Sequence, residues 1–392
     1  MTSTRDNVLL WFGAAISLAE MISGTLFAPL GLAQGTLAIV LGHLIGGLLM
    51  LGCGLIGART RQPAMVTTEY AFGRIGSGWF ASLNVLQLLG WTAVMVITGA
   101  QACQLFLPVS LAFWAAVIGA AVVLWLVIGL QDLGPLNRVA MLALLIACVY
   151  LSVRILGAGS GTMHESGSLS FGAALELAIA MPLSWLPLIS DYTSNAKHPV
   201  HATVWSVLVY NLTSIWMYLI GLFGVVLTGQ AQIAALMRHF GMGIAALIVV
   251  ILATITTTFL DVYSAGVSGN TLFKRIPIKW QAIVVTIAGT LIGIFVPMSA
   301  YENFLYWISS VFVPMAVIQI VDYFFGQHHS TLALDWPRML LWLCGVAMYR
   351  YFLNIQTPLG STIPVVIILA ITTAILTRVF SKKEGTTNEF TK

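Results

Sequence analysis

Charged side chains are scarce in this sequence. Asp, Glu, Lys and Arg make up 8% of its 392 residues, and hydrophobic residues make up 59%, whereas about a quarter of a soluble domain is charged. Water cannot solvate such a surface. Apolar runs of about 20 residues recur along the whole chain, and each is long enough to cross the ~30 Å hydrocarbon core of a bilayer. The composition therefore predicts a multi-pass membrane protein.

Cysteines and soluble-enzyme motifs are also few. The four cysteines lie in apolar runs without CxxC spacing or Cys/His pairing, which predicts packing residues rather than disulfides or zinc ligands: Cys53, Cys103, Cys148 and Cys344. The sequence contains no P-loop, no GxSxG and no HExxH motif. These absences disfavour an ATP-driven pump and an enzyme, and we expect no cofactor other than a coupling cation.

Twelve apolar segments are predicted to form transmembrane helices, which we number spans 1 to 12. They cover about residues 8–30, 35–57, 79–106, 110–130, 139–157, 171–190, 202–228, 242–270, 280–297, 303–325, 336–353 and 361–379. The expected fold class is therefore an all-α integral membrane protein. The segments around 58–78 and 158–170 are predicted to be the longest loops.

Lys and Arg are distributed unequally between the two sets of loops. With twelve spans both termini lie on one side, and a cytoplasmic placement puts fourteen of the 17 Lys and Arg residues inside, leaving Arg154, Arg238 and Arg350 outside. This bias predicts cytoplasmic N and C termini in a bacterial-type inner membrane. The basic residues are dispersed among short loops, so we expect no nucleic-acid partner. No obligate protein partner is predicted.

Spans 1 and 6 contain helix-breaking residues near their centres. Span 1 has Gly24 and Pro29 around the intramembrane Glu20, and span 6 has Pro182 and Pro187. Two interrupted spans five helices apart suggest an inverted repeat, whose unwound segments bind substrate and ion near the midplane in transporters. Gly and Pro are also common in uninterrupted transmembrane helices, so that alternative stays open.

Two carboxyl groups lie deepest in the predicted spans. Inserting an Asp at the centre of a transmembrane helix costs roughly 2.5 to 3.5 kcal/mol. A functional or structural role is therefore expected for Glu20 and for Asp261. We hypothesise that they hydrogen-bond ring nitrogens or an amino group of a substrate, or take part in proton or cation coupling. The alternative is a carboxyl group that caps freed backbone N–H groups at a helix break.

Other polar and aromatic residues of the spans are weaker candidates. Trp91 and Trp185 are suited to stack on a planar ligand, although packing is the commoner role. A run of threonines is a candidate ion site, because hydroxyl oxygens can bind a small hard cation. The alternative is that each hydroxyl donates to a carbonyl of its own helix. The residues are Thr254, Thr256, Thr257 and Thr258. His43 and Glu176 are expected to form interhelical hydrogen bonds outside the site. Solvation or local pairing is expected at helix ends for Asp132, Asp191 and Asp322.

Four sequence blocks carry a family resemblance. They are AAISLAEMISG at 14–24, TTEYAFGRIGS at 67–77, SWLPLISDYT at 184–193 and ATITTTFLDVYSAG at 253–266. The chain resembles the nucleobase:cation symporter family of cytosine permeases and hydantoin transporters, and is similar to its CytX-type hydroxymethylpyrimidine permeases linked to thiamine precursor uptake. This implies a leucine-transporter-like fold with a five-plus-five inverted repeat. A ten-helix core over 1–325, with repeats of about 1–157 and 171–325, would precede two helices and a cytoplasmic tail over 326–392.

The resemblance also implies binding residues. Trp91 matches a tryptophan of helix 3 that stacks on the ligand, and Met95 stands where the family has a glutamine. Trp185 matches a helix 6 tryptophan on the opposite ligand face, and Asp261 falls at or next to a ligand-binding asparagine.

A sodium site is implied as well. The family's helix 8 site matches Ala253, Thr256 and Thr257. Carbonyl groups of residues 16–19 would complete it, Ile16 and Ala19 among them.

These observations predict a secondary transporter that imports a pyrimidine-type base by cation symport and alternating access. The pyrimidine would be hydroxymethylpyrimidine or cytosine, and the cation Na⁺ or H⁺. An amino-acid symporter of the same fold remains an alternative, although its carboxylate substrate disfavours an acid at Glu20. A membrane-embedded enzyme is more remote, with its nearest candidate residues at Asp191, Tyr192, His198 and His201.

Overall fold

Helices make up the architecture of the chain. The computed structural model describes residues 1–128, 134–158, 168–230, 232–296, 298–326, 330, 332–355 and 357–389. The α-helices are α1 (Thr4–Ala15), α2 (Leu18–Thr25), α3 (Gly31–Thr60), α4 (Ala64–Thr67), α5 (Glu69–Phe106), α6 (Leu111–Ile128), α7 (Gly134–Leu156), α8 (Phe171–Trp185), α9 (Ile189–Thr193), α10 (Pro199–Thr228), α11 (Ile233–His239), α12 (Gly243–Leu272), α13 (Ile278–Phe295), α14 (Tyr301–Val321), α15 (Trp336–Ile355) and α16 (Thr362–Glu389).

The predicted spans all overlap these helices. Eight helical segments of the described residues are long and apolar enough to cross a membrane, which confirms an all-α, multi-pass protein. The count of twelve spans stays a prediction. Asp132 and most of the segment 158–170 lie outside the described residues.

Two regions differ from the prediction. The segment 58–78 is not one loop, because it contains α4 and the first turns of α5, with a kink at Gly73 (φ 74°). The short helix α11 falls between predicted spans 7 and 8. Hydropathy alone misses both, because neither segment is a long apolar run.

Span 1 is interrupted twice: α2 ends at Thr25 and Pro29 lies in a 3₁₀ turn (Ala28–Leu30), as the sequence suggests, and a further break lies before α2. α1 ends at Ala15 and α2 begins at Leu18, and the extended Ser17 between them caps α2 by accepting the Glu20 N–H at 3.2 Å. Gly24 serves packing instead: a Cβ there would lie 2.1 Å from the Tyr218 carbonyl oxygen of α10. Small residues allow such close helix contacts in membranes.

The break in span 6 matches the prediction. α8 ends at Trp185 and α9 begins at Ile189, with Pro187 in the turn between them. α3 packs on α8 and α10, while α5 packs on α12 and α13. Both broken helices are therefore enclosed by long helices, which positions their unwound segments inside the protein.

Glu176 ties the C-terminal helices to the core. Its Oε1 accepts the backbone N–H groups of Ser361 and Thr362, both at 2.7 Å, and its Oε2 accepts the hydroxyls of Tyr349 at 2.6 Å and Thr362 at 2.8 Å. The predicted interhelical role of Glu176 is thus confirmed. The carboxyl group caps α16 and holds α15 against α8.

The helix-end aspartates are buried rather than solvated. Asp191 accepts the Ala64 N–H at 2.9 Å, and Asp322 pairs with Arg338 at 2.5 Å. Of the two predicted alternatives, local pairing is therefore confirmed for Asp191 and Asp322, and exposure to solvent is wrong. Of the cysteines, Cys53, Cys103 and Cys148 are buried as packing residues, whereas Cys344 is exposed.

Candidate substrate and ion site

Gln87 joins α5 to the break after α8. Its Nε2 donates to the Ser184 carbonyl oxygen at 2.8 Å and to Asn84 Oδ1 at 3.1 Å. Asn84 in turn donates to Ser268 Oγ of α12 at 2.8 Å. Since both amide hydrogens of Gln87 are engaged, the orientation of the side chain is set and its Oε1 is an acceptor.

The register of α5 and α12 locates Asp261. A Cβ at Gly99 would lie 2.8 Å from Thr254 Oγ1, and Asn84 bonds Ser268, so the two helices run antiparallel. Asp261 lies seven residues from both Thr254 and Ser268, on the same face of α12. The register therefore places Asp261 on α12 opposite residues 91–92 of α5.

Several buried polar atoms around this point have no hydrogen-bond partner among the described residues. They are Gln87 Oε1, Trp91 Nε1, Asp261 Oδ2, Thr257 Oγ1 and Thr258 Oγ1. The five side chains are at most 3% exposed. Buried polar groups are nearly always paired in proteins, so each unpartnered atom needs an explanation. A polar ligand bound between α5 and α12 would supply the missing partners.

Two aromatic clusters flank these atoms. Trp91 packs edge-on against Tyr301 and Phe304 of α14, with ring centroids 6.0 and 5.6 Å apart. Trp185, which directly follows Ser184, packs against Trp11 at 5.5 Å and Tyr210 at 5.8 Å. The Gln87 to Ser184 hydrogen bond thus brings the two tryptophans to the same region, each with its own ring neighbours.

Glu20 differs from Asp261 because both of its oxygens have partners. Oε1 accepts the Tyr210 hydroxyl at 2.8 Å, and Oε2 is hydrogen-bonded to Ser214 Oγ at 2.5 Å. Ser214 Oγ also bonds His43 Nε2 at 2.7 Å, which confirms the interhelical hydrogen bond expected of His43. Glu20 does not cap the helix break, because Ser17 does. It reaches the aromatic cluster through Tyr210, whose ring contacts Trp185.

Sequence reasoning missed Gln87 and singled out Met95. Both are buried and lie one helical turn from Trp91, in opposite directions. The Met95 thioether donates no hydrogen bond, whereas Gln87 presents an unpartnered acceptor. The signal was available, since Asn84, Gln87 and Trp91 recur at helical spacing within an apolar run.

The proposed ion ligands fall into two groups. Ile16, at the break of span 1, and Ala253 of α12 line one cavity of about 10 Å³, whose other lining residues are mostly apolar. Thr257 lies one turn beyond Ala253, and its hydroxyl has no partner within the described structure. Ile16 and Ala253 are therefore brought together, whereas Thr257 is not among the residues that line the cavity.

The other two positions use their oxygens locally. The Thr256 hydroxyl donates to the Leu252 and Ala253 carbonyl oxygens at 2.9 and 3.1 Å. The Ala19 carbonyl, within α2, accepts the Ser23 hydroxyl at 2.8 Å. Neither Thr256 nor Ala19 is among the residues that line the cavity.

Comparison with known proteins agrees with this fold. A family described as permease for cytosine/purines, uracil, thiamine, allantoin matches residues 1–355. The cytosine permease of Escherichia coli (strain K12) is 26% identical over 373 residues, which is 88% of this chain and 86% of that protein.

Solved structures show the same architecture. Mhp1, a nucleobase-cation-symport-1 family transporter in a closed conformation with bromovinylhydantoin bound, has a TM-score of 0.78 at 21% identity, covering 98% of this chain and 93% of that chain. A Na⁺-coupled sialic acid symporter in a substrate-bound outward-open state has a TM-score of 0.71 at 14% identity, covering 97% and 90%. The leucine-transporter-like fold is thereby confirmed.

Proposed function

The chain belongs to the family of permeases for cytosine and purines, uracil, thiamine and allantoin, and on this premise we propose that it imports a pyrimidine-type base together with a cation. It is a nucleobase transporter of the membrane and not an enzyme. Hydroxymethylpyrimidine and cytosine are the bases we propose, and Na⁺ or H⁺ is the coupling cation.

One observation carries the proposal. Gln87 Oε1, Trp91 Nε1 and Asp261 Oδ2 are buried without partners in the described structure, between two aromatic clusters. A pyrimidine offers faces for the indole rings and an edge with ring nitrogens and an exocyclic group. The edge would pair with Gln87 and Asp261, and this pairing would satisfy atoms that the fold leaves without partners.

The ion would bind next to the base. Ala253, Thr257 and Asp261 follow one another at helical spacing on α12, so an ion bound at Ala253 and Thr257 would share one helix face with the base. Hydroxyl and carbonyl oxygens are the ligands that a small hard cation prefers. Each ligand would hold the break between α1 and α2 in the shape that receives the other, so each raises the affinity of the other equally.

Orientation follows from charge. With the termini in the cytoplasm, fourteen of the 17 Lys and Arg residues face inward, as the positive-inside rule requires. We therefore propose a bacterial-type plasma membrane with both termini cytoplasmic. We further propose that a cation moving down its gradient drives import by alternating access.

Ligand binding to the purified protein tests the proposal. Tryptophan fluorescence would be recorded with hydroxymethylpyrimidine, cytosine or leucine, each with and without Na⁺. We expect Na⁺-enhanced quenching by a pyrimidine, which Trp91→Phe abolishes. Trp79→Phe is the matched control, because Trp79 lies on the same helix but is 49% exposed. Quenching by leucine and by no pyrimidine would overturn the base assignment and leave only the fold.

A further inference from the structure

We infer that residues Leu332–Asp335 form a strap that closes the cytoplasmic end of the site, and that this strap opens when the base is released. The inference rests on the proposed function and on the cytoplasmic placement of this end of α5. Residues Leu332–Asp335 precede α15 and pack into the kink of α5 at Gly73.

The strap fills a gap in the backbone hydrogen bonding of α5. Gly73 has φ 74° and ψ 172°, which interrupts the helix. The Ile75 N–H donates to the Ala333 carbonyl oxygen at 2.8 Å, and the Asp335 N–H donates to the Phe72 carbonyl oxygen at 3.1 Å. A Cβ at residue 73 would lie 2.5 Å from the Leu332 carbonyl oxygen, so only glycine allows this approach.

A buried ion-pair network connects the strap to two other helices. Arg338 is 2% exposed and contacts Asp335 Oδ2 at 3.3 Å and Asp322 Oδ2 at 2.5 Å. Asp322 begins a π-helical turn that ends α14, and it accepts the Thr377 hydroxyl of α16 at 2.7 Å. Buried ion pairs add little stability over apolar packing, and their best-attested role is to specify one arrangement or to act in a switch. π-helical turns also occur frequently at functional sites.

The strap lies at one end of two helices that meet at the site. Gly73 and Trp91 are 18 residues apart on α5, and Phe304 and the residue after α14, Asp322, are also 18 residues apart. At 1.5 Å per residue, each separation corresponds to about 27 Å along the helix. α5 and α14 are therefore joined at the site by Trp91 and Phe304, and again at the far end by the strap. While the strap is closed, these two helices cannot separate at the cytoplasmic end.

A reversible cross-link tests this inference. In a Cys344→Ser background, the pair Ile75→Cys and Ala333→Cys would be oxidised, with each single cysteine variant as control. We expect the oxidised pair to keep base binding within about twofold and to lose uptake into proteoliposomes by about tenfold or more, because conformational gating limits turnover in many such proteins. A reducing agent would restore uptake, and oxidation of the single variants would have no effect.

Two outcomes separate this inference from the proposed function. A fully cross-linked protein that transports at the wild-type rate would overturn the strap and leave the base assignment intact. Failure of the uncross-linked protein to bind any pyrimidine would overturn the base assignment instead.

Arg338→Lys supplies a second measurement that needs no base. Lysine cannot reproduce the two-pronged contact with Asp322, so we expect faster alkylation by a maleimide of a single Leu334→Cys, since Leu334 is partly buried in the strap. An unchanged alkylation rate in a folded Arg338→Lys protein would contradict the strap.

Discussion

Glu176 and Asp261 are both buried carboxyl groups, but the fold treats them differently. Glu176 accepts four hydrogen bonds from α15 and α16. Asp261 Oδ2 has no partner in the described part of the chain and lies opposite Trp91. A carboxyl group that the fold satisfies completely is structural, whereas one left without partners is available to a ligand. Glu20 lies between these cases, since α10 hydroxyls occupy both of its oxygens.

The largest effect is expected from Glu176→Ala. The substitution leaves two backbone N–H groups and the Tyr349 hydroxyl buried without their acceptor, and each such group costs about 1–3 kcal/mol. We expect a loss of stability of about 3 kcal/mol or more, seen as a lower thermal unfolding temperature in detergent. If the variant is as stable as the wild type, the structural role assigned to Glu176 is wrong.

Asp261→Asn should act on binding rather than on folding. The amide is nearly isosteric with the carboxyl group, and no partner in the described structure is lost at Oδ2. We expect base affinity to fall by about 10- to 100-fold, the range for losing one buried polar contact, with an unfolding temperature near that of the wild type.

Asp191→Asn is the matched control for Asp261→Asn. The Oδ2 of Asp191 also lacks a partner in the described structure, but its Oδ1 accepts the Ala64 N–H, away from the α5–α12 contact, so base affinity should not change. Equal base affinity in Asp261→Asn and the wild type would show that the Asp261 carboxyl group does not bind the base.

Gln87→Leu and Met95→Leu test the two positions one turn from Trp91. Gln87→Leu removes an unpartnered acceptor and the link to Ser184, and we expect about tenfold weaker base binding. Met95→Leu conserves volume and should stay within about twofold. Fluorescence titration of both variants measures base affinity. A larger loss of affinity in Met95→Leu would favour Met95, the position implied by the family resemblance, over Gln87 as the binding residue.

The smallest effect is expected at the proposed ion site. Thr257→Val removes a hydroxyl without a partner, whereas Thr256→Val removes one already bonded to its own helix. We expect the Na⁺ concentration for half-maximal enhancement of base binding to rise several-fold, about 1 kcal/mol, in Thr257→Val only. If Na⁺ does not change the base affinity of the wild type, the coupling cation would be assigned as H⁺.

Hydropathy predicted most of the fold, because a helix in a bilayer must be both long and apolar. Of the two prolines predicted to interrupt span 6, Pro187 lies at the break, whereas Pro182 lies inside α8. In span 1 the helix-breaking residues indicated the interruption after Thr25, next to Pro29, but not the one at Ile16 and Ser17, because these two residues are not helix breakers by type.

The candidate site was only partly predictable. Trp91 and Asp261 stand out because a tryptophan and an acid are conspicuous in an apolar run. Gln87 does not stand out as a binding residue until its amide hydrogens are seen to be bonded to Ser184 and Asn84. Thr256 and Thr257 are indistinguishable in sequence, and only hydrogen bonding separates them.

The sequence by itself determined the membrane character of this protein, its family and the helices that carry its polar residues, since composition and local motifs decide these. Only the tertiary structure decided which of those residues are free to bind. A side chain has a partner or lacks one according to what other helices bring near it, as α16 does for Glu176 and α5 does not for Asp261. That information is absent from any single stretch of the chain.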